Sequence, residues 1–267
     1  MNSLVPRLTT MRIWALADLV MAWFLPVVTI ALFGLTWEYA SRLFSIPEFL
    51  LPTPTAIISR LLHDWPEMWT HFGFTASMVI QGFALAAFVA IPLALLIATF
   101  PALERGLYPV LAFSEMIPKT IIAPVLIVWF GIGVGSKVGL TALLTFFPIL
   151  VDTVSGLRAI NPQLYDITRS MGATRWQTFI RVQVPAALPF IFSGMKIASV
   201  YAVGGELLAE FIGATRGLGY LIIQASTFMD LEGMFASIVA VTVQGLIFFY
   251  ALAALEHVFT PWTRIKR

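Results

Sequence analysis

Six charged side chains interrupt stretches that are otherwise long and apolar, and their residue types could support chemistry inside a membrane. They are Glu115, Lys119, Asp152, Lys196, Glu206 and Glu210. A charge at membrane depth is costly, so such residues usually pair with each other or face a water-filled cavity. Their placement admits three kinds of chemistry, namely acid catalysis, ion coupling and the lining of a solute path.

Glu115 and Lys119 are four residues apart, with the acid N-terminal to the base, which is the favourable order for an ion pair on one helix. Pro118 interrupts the backbone beside them. Two interpretations stay open. The residues form a structural pair that satisfies itself, or they line a translocation path.

Glu206 and Glu210 are also four residues apart, so they share a helix face near the outer end of a predicted span. They could line the outward mouth of a path, where they would repel anions or bind a cationic group. For Glu210 we favour a simpler interpretation, in which the side chain reaches the outer surface of the membrane. Lys196 lies near the other end of the same span and is predicted to extend its amine to the interface.

An intramembrane enzyme would need two acids at matched depth on facing helices. Glu115 and Asp152 lie on oppositely directed spans but at different predicted depths, so this interpretation fits poorly. The sequence contains no phosphate-binding GxxxxGKS/T loop, no zinc-binding HExxH and no GxSxG elbow. It has no cysteine, which excludes disulfides and thiolate metal sites. We therefore predict no catalytic, cofactor-binding or metal-binding residue in this chain.

The elements that must position these residues are membrane-spanning helices. Hydrophobic residues make up 59% of the chain and charged residues 11%, and the mean hydropathy is +0.90. Soluble domains average about 25% charged residues. Six apolar runs, each near the ~20 residues needed to cross the hydrocarbon, predict an all-α integral membrane protein with six transmembrane helices. The predicted spans are Leu19–Ala40, Phe72–Phe100, Pro109–Phe130, Val138–Leu157, Ala186–Phe211 and Met234–Leu255.

Two of the connections between spans carry local signals. Thr53 and Pro54 suit an N-cap and a first helical position, which predicts an interfacial helix ahead of the second span. Trp65 and Trp69 would lie at headgroup depth. The segment Ile212–Gly233, which contains the stretch GATRGLG, is predicted to be looser and to form a flexible extracellular turn.

The longest polar interruption between spans, residues 159–185, has helical periodicity in two short pieces. Asn161 and Pro162 suit the start of the first piece, and Gly172 stands where a left-handed residue would end it. Pro185 is predicted to stop the second piece. The loop is therefore predicted to be an ordered, basic helix-turn-helix at the membrane surface. A helix that merely lies on lipid is the alternative.

The distribution of basic residues predicts the orientation of the chain. Of the sixteen Lys and Arg residues, ten fall on one side of the membrane, four on the other and two within spans. The positive-inside rule places the ten, the polar loop and both termini in the cytoplasm. We therefore predict a cytoplasmic segment 1–18, a membrane domain 19–258 and a cytoplasmic basic tail 259–267.

The polar loop resembles the cytoplasmic EAA loop of ABC-importer permeases. Gly172 and Pro185 match that pattern in register, while Asp166–Ile167–Thr168 stands where Glu-Ala-Ala is usual, and Val182 and Val184 stand for Ile and Leu. These departures affect the fine docking contacts. The resemblance implies that the loop couples the spans to a separate ATPase. The residues that would carry this coupling are Asp166, Arg169, Gly172, Ala173, Arg175 and Pro185.

The resemblance extends from about Leu51 to the C-terminus. It rests on the stretches IPKTIIAPVLIVWFGIGVGSK, FFPILVDTVSGLR, SMGATRWQTFIRVQVPAALPFIFSGMKIA and LLAEFIGATRGLGYLI. These are similar to the nitrate, sulfonate and taurine branch of the family, which also includes permeases for pyrimidine precursors of thiamine. The implied fold is a six-helix type I ABC-importer permease.

The resemblance also implies partners and a location. A second copy of the chain, two ATP-binding-cassette ATPase subunits and a periplasmic or lipid-anchored binding protein would complete a transporter in the bacterial inner membrane. A heterodimer with a paralogous permease stays open. No cofactor is expected in this chain because ATP would be bound by the ATPase, and no nucleic acid is expected. The substrate stays open between sulfonates, taurine, nitrate and heterocyclic vitamin precursors.

In such a permease the candidate residues of the translocation path are Glu115, Lys119, Asp152 and Glu206. Asp152, toward the cytoplasmic end of its span, could instead cap the helix or contact the coupling loop. An ion-coupled secondary transporter is the alternative function. It would favour inverted repeats with broken helices in both halves, and the sequence shows no such correspondence.

Overall fold

The computed structural model describes the backbone of residues 5–266 and the side chains of residues 24–263. Within that part, regular structure is helical throughout. The α-helices are α1 (Val5–Leu43), α2 (Pro54–Thr99), α3 (Pro101–Glu115), α4 (Lys119–Phe130), α5 (Val134–Arg158), α6 (Pro162–Ser170), α7 (Arg175–Thr178), α8 (Val184–Gly213), α9 (Leu218–Thr227) and α10 (Leu231–Phe259). A π-helical segment, Phe179–Gln183, joins α7 to α8, and a 3₁₀ helix, Pro261–Lys266, follows α10.

Five of these helical stretches are long and apolar enough to cross a membrane, and the bent pair α3 and α4 supplies a sixth span. The five are Phe24–Leu43, Pro54–Thr99, Val134–Arg158, Arg175–Gly213 and Leu231–Phe259. The predicted all-α fold with six spans is confirmed. The helix α1 runs without a break from Val5, so the predicted boundary after residue 18, which concerns the membrane surface, stays a prediction. Residues 1–4 and 267 lie outside the described residues.

The second span begins earlier than predicted. The Thr53 hydroxyl accepts the backbone N–H of Ala56 at 3.3 Å and Pro54 follows it, as the sequence predicts for a helix start. The interfacial helix and the span are, however, one helix of 46 residues, about 69 Å long. Because the hydrocarbon core is only ~30 Å thick, α2 extends beyond it. Trp65 and Trp69 pack together near the start of its uncharged stretch.

The third span differs from the single helix Pro109–Phe130 that the sequence predicts. A helix already starts in the predicted turn 101–108 and ends at Glu115, and the axis of α4 differs from it by 97°. Pro118 explains the break because it has no backbone N–H to continue a helix. It also disfavours the helical conformation in Ile117 before it.

The centre of the bundle is formed by α5, which packs against both α8 and α2. Glycines permit this close approach. A Cβ atom at Gly82 would lie 2.5 Å from the Cβ of Thr141, and one at Gly194 would lie 2.7 Å from the Cβ of Asp152. Small residues at helix contacts are typical of membrane bundles, where they let backbones approach closely. These contacts fix the helices that carry the polar side chains described below.

The first helix lies at the periphery of the bundle. Among the side chains described on α1, only Ser41 is buried. Trp37 meets Phe235 of α10 edge to face. Glu38 accepts hydrogen bonds from the backbone N–H and the hydroxyl of Thr55, at 3.1 and 2.8 Å. These contacts attach α1 to the start of α2 and to α10.

Candidate functional site

The loop between α5 and α8 folds as the predicted helix-turn-helix. Asn161 caps α6 by accepting a backbone N–H of its first turn at 2.9 Å. Gly172 has a φ of +72°, so it is left-handed as predicted. Its N–H donates to the carbonyl of Arg169, and the N–H of Ala173 donates to the carbonyl of Thr168. This is the Schellman pattern that ends helices with a glycine.

A capping box starts α7 directly after this turn. The Thr174 hydroxyl accepts the N–H of Gln177 at 3.2 Å, and the Gln177 side chain accepts the N–H of Thr174 at 2.9 Å. The hydroxyl of Thr178 also lies 3.3 Å from that of Thr168 in α6. Backbone geometry and short polar side chains therefore fix how the two short helices meet.

Pro185 does not end the second helix, and the prediction that it does is wrong. The stretch Arg175–Gly213 is helical from end to end, with the π-helical segment inside it. In that segment the N–H of Val184 donates to the carbonyl of Phe179, five residues back. The wider turn accommodates Pro185, which has no N–H for the usual bond to the fourth residue back. The loop therefore joins the fifth span without a flexible link.

The outer surface of the loop is basic and apolar. Arg169 and Arg175 are exposed, and Met171 and Trp176 are 79% and 68% exposed. Asp166 is also exposed, within α6. Arg, Met and aromatic side chains are enriched where proteins bind one another, so this surface suits a protein partner.

A groove of about 1010 Å³ separates the loop from the end of α2. Its walls include Phe100 from the end of α2, and Arg169 and Trp176 from the loop. Glu104 and Arg158 form an ion pair between α3 and α5. The C-terminal ends of α2 and α5 thus lie at the same end of the bundle as the loop.

Glu206 and Glu210 lie buried in the half of α8 that is far from the loop. Thr141 of α5 donates its hydroxyl to Glu206 at 3.0 Å, and the other carboxylate oxygen has no hydrogen-bond partner among the described residues. Thr75 of α2 donates its hydroxyl to Glu210 at 2.7 Å. The prediction that Glu210 reaches the membrane surface is wrong, because its side chain points into the bundle, where buried donors satisfy it.

Glu210 also holds the segment that follows α8. The N–H of Gly219 donates to the Glu210 carboxylate at 2.6 Å. The N–H of Leu218 donates to the hydroxyl of Thr75 at 2.8 Å, and that hydroxyl in turn donates to Glu210. The N–H of Gly217, whose φ is +119°, donates to Nδ1 of His71 at 3.1 Å. The predicted flexible turn is instead an ordered start of α9, because side chains satisfy three of its backbone donors.

Lys137 belongs to this buried cluster, although it lies just outside the predicted span Val138–Leu157. It lies in the first turn of α5, is 6% exposed, and its Nζ is 4.7 Å from the centre of the Phe74 ring. It interacts electrostatically with both Glu206 and Glu210. The signal that could have identified it is a cation at the outer end of one span facing two acids at the outer end of another.

Glu115 and Lys119 form the predicted ion pair, with 3.0 Å between Nζ and Oε2. The pair bridges the break between α3 and α4, and the amine also donates to the carbonyl of Glu115 at 3.0 Å. The contact therefore closes a bend, whereas the sequence predicts a pair along one helix.

Asp152 and Lys196 lie at contacts between helices. Asp152 is half-buried where α5 meets Gly194 of α8, and α5 continues beyond it to Arg158, so Asp152 does not cap the helix. Lys196 pairs with Glu256 of α10 at 2.6 Å and does not need to extend to the interface. The Lys196–Glu256 pair thus holds α8 against α10.

The structure distributes the predicted residues over four places. The coupling residues occupy the loop at one end, and Glu206 lies near the other end. The Glu115–Lys119 pair lies at the bend, and Asp152 lies where α5 meets α8. In the described part of the chain, no group of three or more His, Asp or Glu residues could hold a metal ion. The arrangement is suited to transmitting movement from a docking loop to a packed bundle.

Residues 90–261 match the family described as the binding-protein-dependent transport system inner membrane component. The chain belongs to this family. Its members are permease subunits of ABC importers, so the chain is a transport subunit and not itself an enzyme. The alternatives of an intramembrane enzyme and a secondary transporter are therefore set aside.

Curated relatives match this permease over most of its length. It is 37% identical to the formylaminopyrimidine transport permease protein ThiX of Halalkalibacterium halodurans, over 90% of the chain and 96% of that protein. It is 35% identical to the riboflavin transport system permease protein RibX of Chloroflexus aurantiacus, over 88% of each. It is 27% identical to the taurine transport system permease protein TauC of Escherichia coli, over 89% of each.

The fold is also that of a solved ABC importer. A structure of the inward-facing MetNI methionine ABC transporter matches with a TM-score of 0.64 and 22% identity, covering 73% of this chain and 98% of that one. The predicted type I permease fold is confirmed. The permease is a multi-pass protein of the bacterial inner membrane, and its family implies an ATPase and a binding protein as partners.

Proposed function

We propose that the permease works as a homodimer with two ATPase subunits and a binding protein, and that it imports a small heterocyclic nutrient. The relatives at 37% and 35% identity are named for formylaminopyrimidine and riboflavin, which are both heterocycles. The taurine relative is 27% identical, and it favours a sulfonate as the second candidate. ATP is bound by the ATPase and needs no site in this chain.

The observation that carries the proposal is the continuity of the coupling loop with the fifth span. The α6–α7 pair offers an exposed basic and apolar surface, and α7 runs through the π-helical segment into α8. When two ATPase subunits close on nucleotide, a pair of helices seated on them moves too. Because α8 packs against α5, that movement reaches the centre of the bundle.

In this proposal the coupling residues have different tasks. Gly172 and Ala173 set the angle between α6 and α7 through their backbone hydrogen bonds. Arg169 and Arg175 bind acidic groups of the ATPase, and Asp166 binds a basic one. Pro185 keeps the π-helical turn in place, since an ordinary α-helical bond cannot form at that position.

We infer that the loop and both termini lie in the cytoplasm, and the excess of basic residues on that side supports this orientation. Among the candidate path residues, Glu115 is exposed, Asp152 is half-buried, the Lys119 side chain is largely buried, and Glu206 is buried. We infer that Glu115 lines the path at the bend. Glu206 affects the path only by moving with α8.

The test is transport by the purified assembly. The permease, its ATPase and its binding protein are reconstituted in liposomes, and uptake of a labelled aminopyrimidine, riboflavin and taurine is measured with and without internal ATP. We expect ATP-dependent uptake of a heterocycle. Uptake of taurine alone would select the second candidate, and uptake that does not need ATP would overturn the proposal.

A further inference from the structure

The two ends of α2 lie on opposite sides of the membrane. Its last residues line the groove beside the coupling loop, so its first turns, with Arg60, lie at the far end of the bundle. Trp65 and Trp69 lie between that end and the uncharged stretch of the helix, where aromatic side chains mark the membrane surface. The first turns of α2 therefore project from the face opposite the ATPase.

A charged cleft of about 230 Å³ opens on this face, between α2, α9 and the first turns of α10. The charged residues that line it are Arg60, Asp64, Glu67 and Asp230. The guanidinium of Arg60 lies 2.6 Å from the Asp64 carboxylate and 3.0 Å from that of Asp230. Arg60 is therefore already paired with two carboxylates. Three carboxylates against one cation leave the cleft acidic, and Glu67 is the exposed acid at its edge.

The rim of the cleft is apolar and held in a fixed shape. Phe228, which lines the cleft, and its neighbour Met229 are 74% and 73% exposed. Met229 has a φ of +57°, a backbone conformation that residues other than glycine rarely adopt. The turn is closed by the N–H of Asp230, which donates to the carbonyl of Ala225 at 2.9 Å, while the Asp230 carboxylate caps α10 at Gly233. Two large apolar side chains are thus presented beside an acidic recess.

We propose that this acidic cleft is the docking point for a lysine or arginine side chain of the substrate-binding protein, with Phe228 and Met229 packing against the apolar surface around it. The inference rests on the proposed function, because only an importer needs a delivering partner on this face. The charge selects a basic group and disfavours anionic lipid headgroups. The volume suits one long side chain, and the two carboxylates already paired with Arg60 disfavour an acidic partner.

The first arm of the test identifies the partner. A photo-crosslinking amino acid is placed at Gln224, which lines the cleft, and at Trp176 in the coupling loop as a control from the other end. We expect crosslinking to the substrate-binding protein from Gln224 and not from Trp176. Crosslinking from Gln224 to lipid alone would overturn the proposal.

The second arm uses that purified binding protein as the probe of charge. In liposomes, we measure the concentration of binding protein that half-maximally stimulates ATP hydrolysis by the transporter. Glu67→Lys should raise it at least fivefold. Glu48→Lys, which reverses an exposed acid of the preceding loop outside the cleft, should leave it within twofold. Replacing the crosslinked partner lysine or arginine by glutamate should reverse the effect of Glu67→Lys. Phe228→Ala should also raise the concentration.

The outcomes separate the docking site from the importer function. Normal stimulation of both Glu67→Lys and Phe228→Ala proteins would overturn the docking site and leave the importer function standing. Equal shifts in the Glu67→Lys and Glu48→Lys proteins would also overturn it, since they would reflect general surface charge. Absence of stimulation and uptake in the unaltered transporter would overturn both proposals.

Discussion

The carboxylate of Glu210 and the backbone N–H of Gly219 are joined by a 2.6 Å hydrogen bond that links the end of the fifth span to the start of α9. The two partners are nine positions apart in the sequence. A carboxylate buried in a membrane bundle thereby meets a helix N-terminus, where negative charge is favourable. The bond makes the connection after α8 part of the packed core.

This contact predicts that Gly219 cannot carry a side chain. A Cβ atom there would lie 2.8 Å from the Glu210 carboxylate and 2.9 Å from its Cβ. We expect Gly219→Ala to destabilise the permease by about 1–3 kcal/mol, as overpacking does. Thermal unfolding in detergent measures it. Gly204→Ala on α8 is the control, because a Cβ there meets nothing within 4 Å, and equal melting of the two variants would contradict the prediction.

The hydrogen bond between Thr141 and Glu206 predicts a second effect on stability. Thr141→Val keeps the shape but removes the donor, which leaves a buried carboxyl group without its partner, at a cost of about 1–3 kcal/mol. In the Glu206→Gln background the same change should cost less. The control is Thr242→Val, whose exposed hydroxyl bonds only to a carbonyl of its own helix. Equal losses in all backgrounds would show that the two residues do not interact.

Glu115 and Lys119 are predicted to be energetically coupled through the pair that closes the bend. Glu115→Gln and Lys119→Met should each reduce the folded yield or transport, because each leaves one charge without its partner. The double variant should recover part of the loss, with a coupling on the order of 0.5–3 kcal/mol in a double-mutant cycle. Strictly additive losses would assign the residues separate roles, with Glu115 acting on the path.

Gly172 is predicted to be essential for coupling and dispensable for membrane insertion. A β-branched residue at a φ of +72° costs on the order of 1–2 kcal/mol and changes the angle between α6 and α7. Gly172→Val should insert normally, bind the ATPase weakly and fail in uptake. Gly172→Asn is the matched control, since asparagine tolerates this conformation. Co-purification with the ATPase and uptake in liposomes measure both, and normal coupling by Gly172→Val would remove the role assigned to the loop.

The orientation predicts which introduced cysteines react from outside the cell. The chain has no cysteine of its own, so Gln177→Cys in the loop and Glu48→Cys before α2 give clean signals. An impermeant maleimide should label Glu48→Cys in intact cells and Gln177→Cys only in inverted vesicles. The reverse pattern would invert the topology.

Local signals in the sequence predict local structure well. Thr53, Asn161 and Gly172 each mark a helix end through their own backbone or cap chemistry, and the structure has all three ends where the sequence places them. Each depends on neighbours within a few residues. The number of spans could also be predicted, because hydrophobic length alone decides it.

Features that depend on distant partners could not be predicted in the same way. The buried position of Glu210 depends on a hydrogen bond from Thr75, which is 135 positions away in the sequence. It also depends on the backbone N–H of Gly219, and a backbone donor carries no signal in the residue type. Lys137 joins the same cluster only because α5 and α8 pack closely. The sequence shows that Pro118 interrupts the backbone, but the size of the bend, 97°, depends on how α4 packs against α5.

The π-helical segment Phe179–Gln183 sets the angular register between the coupling loop and the fifth span. Each residue of an α-helix turns the chain by about 100°, and a π turn contains one residue more than an α turn. Deletion of a single residue in this segment would therefore rotate α7 by about 100° about the axis of α8. The exposed surface of α7, with Arg175 and Trp176, would then point away from the ATPase with every side chain of the loop unchanged. The number of residues in this one turn therefore determines the direction in which α7 faces the ATPase.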